Sequence, residues 1–399
     1  MKKLLLIISI FLFIPIVRAR ELDVDVTAEA VAVIDLDRNE IILEKNADKE
    51  MILASLTKMM SAYTVIDNVD DLSQRVRITD DDLYALWGFT QAGIESGQKL
   101  SYMDLLYAMM LYSGADASQA LANHVGGNNA GFVKMMNEEA QKLGMRHSHF
   151  ADSFGRDDNN VSTARELAFF LKTALENDTY RKIFTTTTKR LSTGLEVTNY
   201  VRSIATFYGY DDKLLIGNKP GYTEVAGLLL ASYVKVNGHE YGIIVCKSKE
   251  NKDLTTHVID TYKIINYLEN NTYKEKILLA KGTHLKKINV ENSTINEYTV
   301  VVDQDVKGYL TDEEFKNIEY SYHIADVITS DNIIGDNIGY VDILLNGEVI
   351  GTYNAHLRDD IFDSVKRSRT IILIVLGLII FIICMLIANL FANPKKKKK

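Results

Sequence analysis

Ser55-Leu56-Thr57-Lys58 sets a hydroxyl and an amine three residues apart where a helix-forming run begins. At that spacing the two side chains share one face, one turn apart. The serine can therefore hand its proton to the amine and attack a carbonyl carbon. A lysine accepts that proton only when neutral, a state favoured by burial and by a second cation close by. Amides at the helix start could stabilise the negative charge that then develops on the carbonyl oxygen. Both residue types are common, so the pair means little alone. Ser113 in YSGADAS, at a break between two helix-forming runs, and Lys219 in the strand-like NKPGYT add a second hydroxyl and a second amine. Taken singly, Ser113 reads as a helix cap and Lys219 as a solvated strand residue.

The apolar pattern predicts the scaffold that would position them. AVAVID and EIILEKN alternate around the polar DRN, the mark of an N-terminal hairpin. SLTKMMSAYTVIDNV, SYMDLLYAMMLYS, ADASQALANHV, AGFVKMMNEEAQKLG and TARELAFFLKTALEN repeat apolar residues at three and four, bounded by Ser, Gly, Asn or Asp, and predict helices. KLLIGNKPGYT, GLLLASYVKV and EYGIIVCKS read as strands, and THVIDTYKIINYLENN as a closing helix. Two early strands, a helical middle and three late strands imply an antiparallel sheet with helices packed on it, an α+β domain over residues 25–268. Residues 274–357 read as short strands and turns, which predicts a small all-β sandwich.

The ends carry targeting signals. Residues 1–19 combine Lys2 and Lys3, the apolar LLLIISIFLFIPIV and the small-residue ending Val17-Arg18-Ala19, the pattern of a cleaved signal peptide. Thr370–Ala392 has no charged residue and, as a helix, is about 35 Å long, enough to span a bilayer. Lys395–Lys399 follow it, within a tail over 393–399, and such a cluster stays on the cytoplasmic side. The expectation is a single-pass cell-membrane protein with its body extracytoplasmic and its C-terminus cytoplasmic.

Composition limits the partners. The 399 residues are 47% hydrophobic and 25% charged, enough for two packed domains. Between residues 20 and 365 there are 34 basic and 53 acidic residues, a net charge of −19 that nearly excludes nucleic acid. Cys246 and Cys384 form no disulfide or zinc spacing, and His147 and His149 lack the spacing of a helical metal pair. Neither a metal nor another cofactor is expected.

Order and context bring the four residues together. Ser55-x-x-Lys58, then Ser113-Gly-Ala115, then Lys219-Pro220-Gly221 resembles the motif order of the serine D-alanyl-D-alanine carboxypeptidases, the low-molecular-mass penicillin-binding proteins: Ser-x-x-Lys, Ser-x-Asn, Lys-Thr-Gly. The likeness extends through AEAVAVIDLDRNEIILEKNADKEMILASLTKMM, GQKLSYMDLLYAMMLYSGADASQALANHVGG, MNEEAQKLGMRHSHFADSFGRDDNNVSTARELA and GNKPGYTEVAGLLL. It implies a penicillin-binding-protein/β-lactamase-like catalytic domain that trims the terminal D-alanine of peptidoglycan stem peptides and is acylated by β-lactams. The implied roles are nucleophile for Ser55, general base for Lys58 and proton relay for Ser113. Lys219 would supply positive charge to the site and to the terminal carboxylate. Backbone amides of Ser55 and Tyr222 would form the oxyanion hole, with Gly221 and Thr223 also bordering the substrate.

Two positions depart from that pattern. Ala115 stands where the family has an asparagine, and Pro220 where it has a threonine that grips the substrate carboxylate. Asp116, beside Ala115, is the polar residue nearest to hand that could compensate. Proline has no amide proton, so Pro220 predicts an edge strand or a non-bonding register. Losing one hydrogen bond to a charged group costs roughly 1.5–3 kcal/mol, which slows turnover without abolishing acylation. The alternative reading is a weak or inactive homologue that binds wall peptide or a division partner. A β-lactamase is disfavoured, because no Glu-x-x-Leu-Asn segment is present and Glu166 in STARELAFF reads as a helix residue.

Overall fold

The computed structural model describes Arg20–Asp359, Ile361 and the helix Ser364–Ala392, whose side chains are described from Thr370 to Met385. The expected signal peptide, 1–19, and basic tail, 393–399, lie outside the described residues. The chain divides into two compact units, one ending at Thr272 and the other beginning at Tyr273.

In the first unit a six-stranded sheet has the order Arg20–Glu21, Glu40–Lys45, Ala30–Asp35, His239–Ser248, Gly227–Val236, Leu215–Thr223. All neighbours pair antiparallel except the first two. Every residue of AVAVID is buried. Successive side chains of a strand point to opposite faces, so both faces are covered here.

Helices α1 (Thr57–Asn68), α2 (Tyr102–Leu111), α3 (Ala115–Gly126), α4 (Asn129–Lys142), α5 (Ala164–Glu176), α6 (Asp178–Thr185) and α7 (Val201–Phe207) fill the middle of the chain. α8 (Thr256–Asn270) closes the unit. α5 packs on Ala30–Asp35 and His239–Ser248, and α8 on His239–Ser248 and Gly227–Val236. α1 lies among α2, α3, α4 and α6. Its Met59, Met60, Ala62 and Val65 are buried with Leu105, Met109, Leu121, Phe132 and Met136. Each large apolar side chain so buried contributes about 1.5–3 kcal/mol, and α1 is thereby fixed from all sides.

Local chemistry sets the helix starts. Ser101 and Asp104 form a reciprocal capping box at α2, and the Asn128, Thr163 and Asn177 side chains accept backbone N–H groups at α4, α5 and α6. The short helices α6 and α7 and the ladders Glu50–Ile52 with Val161–Thr163, Arg75–Arg77 with Lys99–Ser101 and Thr188–Arg190 with Glu196–Thr198 were not legible as elements. Most span two turns or fewer, too little for a periodic pattern to emerge.

The second unit is all-β apart from the short α9 (Asp312–Lys316) and the C-terminal helix. Its strands form three small sheets: Lys274–Leu279 with Val306–Leu310; Glu297–Val301, His284–Glu291 and Val327–Thr329; Ile318–Ile324, Asn337–Leu345 and Glu348–His356. Ile288, Val300, Val341, Ile343, Ala355 and Leu357 form its core, and Ile361 packs there too. The final helix, α10 (Ser364–Ala392), exposes Ile371 and its apolar successors to Met385. Among the described residues no helix is long and apolar enough to cross a membrane, so the anchor expected at Thr370–Ala392 stands as a reading of the sequence.

Candidate active site

Ser55 sits in a 3-10 turn, Ala54–Leu56, that feeds directly into α1. Ala54 adopts the left-handed conformation at φ 43°, which costs a non-glycine residue about 1–2 kcal/mol. Such a residue persists only where its surroundings dictate it. Leu53 N donates to Asn160 O at 2.9 Å, tying the turn to the segment Ala151–Asn160. Gly155 of that segment, at φ 89°, comes so close that a Cβ there would lie 1.8 Å from the Ala54 carbonyl oxygen.

One turn along, Lys58 is 2% exposed. Its Nζ lies 2.9 Å from Ser55 Oγ and donates to the Phe154 carbonyl oxygen at 2.7 Å. Burial pushes the Lys58 amine down to about 7, with the Asp152 and Asp116 carboxylates pulling the other way. A neutral amine here can accept the Ser55 proton while donating its own N–H to Phe154.

Ser113 occupies the break between α2 and α3, in the left-handed region at φ 64°. Lys219 Nζ donates to Ser113 Oγ at 2.9 Å and to Pro220 O at 2.8 Å. Lys219 is fully buried, and burial followed by the charge of Lys58 holds it well below the ordinary lysine range. The site therefore consists of two serine–lysine couples. A carboxylate entering beside Lys219 would supply the counter-charge that burial denies it.

Pro220 lies in Leu215–Thr223, the outermost strand of the sheet, as its missing amide predicts. One residue on, a Cβ at Gly221 would meet Leu53 O, Leu56 N and Ser55 N, each at 3.3 Å. The edge strand thus packs its bare backbone on the turn that carries Ser55. The Tyr222 hydroxyl bonds to Glu250 and its ring is 37% exposed, while Thr223 Oγ1 accepts Ala226 N at 3.1 Å and closes the hairpin. The two side chains are tied to Glu250 and to the hairpin, and the backbone at Gly221 borders the turn that carries Ser55.

The neighbourhood of Ala115 is apolar. It clusters with Leu86 and Phe154, and Phe89 packs against them. Asp116 does not compensate for the missing amide. Its fully buried carboxylate accepts Ala92 N, Gly93 N, Ile94 N and Ala117 N at 2.9–3.1 Å, fastening a loop to the start of α3. Glu166 is likewise structural: on α5, it accepts His147 N at 2.9 Å and the Ser148 hydroxyl at 2.6 Å.

Sequence reasoning missed the contribution of Ala151–Asn160. The segment lay within the quoted resemblance, but its contact with Lys58 is a backbone carbonyl, which no residue type announces.

Known proteins resemble the chain along most of its length. The sequence pattern of the D-alanyl-D-alanine carboxypeptidase family matches residues 17–249, and that of the penicillin-binding protein 5 C-terminal domain matches residues 273–361. The D-alanyl-D-alanine carboxypeptidase DacF of Bacillus subtilis is 25% identical over 344 residues, covering 82% of this chain and 84% of that protein. DacC of Escherichia coli is 32% identical over 155 residues, 36% of this chain and 38% of its own. Among solved structures, the carboxypeptidase DacD of Francisella tularensis superimposes with a TM-score of 0.69 at 20% identity, covering 88% of this chain and 96% of that one, a likeness of fold. The Streptomyces K15 DD-transpeptidase gives 0.55 at 26% identity over 61% of this chain and 97% of its own. With the pattern matched across the whole segment that holds both serine–lysine couples, the chain belongs to the D-alanyl-D-alanine carboxypeptidase family.

Proposed function

We propose that the chain is a serine D,D-carboxypeptidase that removes the terminal D-alanine from peptidoglycan stem peptides through an ester on Ser55. The observation that carries this is the 2.9 Å separation of Lys58 Nζ from Ser55 Oγ with the lysine buried. Ser55 Oγ bonds to the penultimate D-alanine carbonyl carbon as its proton passes to Lys58. The Ser55 and Tyr222 amides hold the oxyanion, each hydrogen bond gaining strength in a site with little water. The C–N bond then breaks, and the leaving amine takes the proton held by Lys58, passed on through Ser113, which returns Lys58 to its neutral form. Water attacks the ester carbonyl as Lys58 takes its proton, and that proton goes back to Ser55 Oγ as the ester C–O bond breaks and the shortened peptide leaves. A β-lactam follows the first steps, and its ring-opened ester stays attached.

Lys219 meets the terminal carboxylate. Residues two apart on a strand present their amides to the same side, so if Tyr222 N faces the cleft the missing Pro220 amide does too. The proline then costs no bond within the sheet and only a donor toward substrate. That loss, with Ala115, is what a weak or non-catalytic homologue would rest on. The two readings separate in one assay: incubation with a peptide ending in D-Ala-D-Ala, with free D-alanine measured for the native chain and Ser55→Ala. Catalytic release that the substitution abolishes is expected; no release by the native chain overturns the hydrolase reading.

Anchoring is part of the proposal. The leader 1–19, the uncharged run Thr370–Ala392 and the lysines 395–399 support a body, catalytic domain 25–268 and β domain 274–357, held outside the cell membrane by one helix. Deleting residues 366–399 is expected to release an active soluble protein; firm membrane attachment after the deletion would contradict it.

A further inference from the structure

Asp152 is a buried carboxylate, 7% exposed, in the segment that covers Ser55 and Lys58. Its Oδ1 accepts Phe154 N and Gly155 N at 2.7 Å each, and its Oδ2 accepts Asp157 N at 2.6 Å and Asn160 Nδ2 at 3.0 Å. All four donors are neutral, two backbone N–H groups on one oxygen and a backbone N–H with an amide on the other. Those bonds curl the segment around the carboxylate. The curl directs the Phe154 carbonyl to Lys58 Nζ at 2.7 Å. It also directs the Ser153 carbonyl to the Ser61 hydroxyl of α1 at 2.5 Å and the Ser118 hydroxyl of α3 at 2.7 Å.

Ala115 makes this contact matter more. It has no side-chain acceptor, and its surroundings are Leu86 and Phe154. Apart from Ser55 Oγ, the Phe154 carbonyl is thus the one hydrogen-bond partner described for Lys58 Nζ. The charged groups acting on Lys58 come from three elements: Asp152 on this segment, Asp116 at the start of α3 and Lys219 on the edge strand.

We infer that Asp152 is a positioning residue for acylation, aiming the Phe154 carbonyl at Lys58 and supplying the negative charge that offsets the lysine's burial. The inference rests on Lys58 being the base. An uncharged residue at 152 removes both effects, and both show in a pH profile. Losing the aim misplaces the amine, which lowers the rate at every pH, and also removes an acceptor that favours the ammonium form. Losing the charge makes the ammonium form harder to hold, so the acid limb moves to lower pH.

The test is the second-order rate of acylation by a reporter penicillin from pH 5 to 9, for the intact protein and Asp152→Asn, with thermal unfolding recorded for both. The amide can accept through its oxygen alone, so its nitrogen would face backbone N–H groups that need an acceptor. The plateau is expected to fall by about tenfold and the acid limb to move down by about half to one pH unit. A limb that stays in place overturns the inference whether or not the plateau falls, since a fall alone is what a merely structural residue gives. Should Asp152→Asn not fold, Asp152→Ser, which keeps one oxygen in less volume, is read by the same criteria. If the native chain shows no acid limb at all, Lys58 is not the base and both readings fail. A native limb with an unmoved variant limb removes the role of Asp152 alone.

Discussion

At the residue scale the account turns on Lys58 being neutral when it works. Its folded pKa is lowered from 10.5 to about 7, burial being the first cause. Only the neutral form accepts the Ser55 proton, so acylation by a penicillin of constant charge is expected to rise with pH through a midpoint near 7 and level off above it. A rate independent of pH between 5 and 9 would contradict this. Pro220 tests the substrate side. Pro220→Thr restores the hydroxyl at the family's carboxylate grip and is expected to raise D-Ala-D-Ala hydrolysis about tenfold, roughly 1.4 kcal/mol. Unfolding should be followed in parallel, since proline also stiffens the strand. No gain in a folded variant would show that Pro220 is not a simple loss of grip. Ser55, Lys58, Ser113 and Lys219 were legible because each is a reactive side chain in a known order. Phe154 was not, because it acts through its main chain, and neither was the use of Asp116, whose four backbone donors come largely from residues 92–94.

At the scale of elements, the turn Ala54–Leu56 and the segment Ala151–Asn160 hold each other. Gly155 is their closest point, and with φ 89° and no room for a Cβ it fails an alanine on both counts. Gly155→Ala is expected to destabilise the fold by more than about 2 kcal/mol and to displace Ser55, so that penicillin acylation falls in whatever fraction stays folded. Thermal unfolding together with acylation kinetics checks this; a variant native-like in both would show that the contact is not needed. The main helices were readable because a period of 3.6 over ten or so residues outweighs local noise, and the strands Gly227–Val236 and His239–Ser248 because near-continuous apolar runs bounded by turn residues mark strands buried on both faces. The edge position of Leu215–Thr223 was readable from a single proline. The left-handed Ala54 and Ser113 were not. Both are forced by neighbours far along the chain, and neither is a residue type that announces a positive φ.

At the scale of the whole molecule, residues 113 and 219 come from different layers, a helix break and a sheet edge, and are joined by one 2.9 Å hydrogen bond. That juxtaposition depends on the complete first unit, so no local pattern could predict it; the resemblance did, by carrying an already folded arrangement onto these positions. The all-β character of the C-terminal part was readable from its shift to short strands, and the second unit carries three small sheets. The most direct test of the account uses the intact protein: covalent labelling with a reporter penicillin, followed by mass-spectrometric mapping of the modified peptide, with Ser55→Ala alongside. The account predicts one label per chain, on Ser55, and none on a folded Ser55→Ala. Stoichiometric labelling of that variant, or a label mapped to Ser113 or any other residue in the native chain, would contradict it.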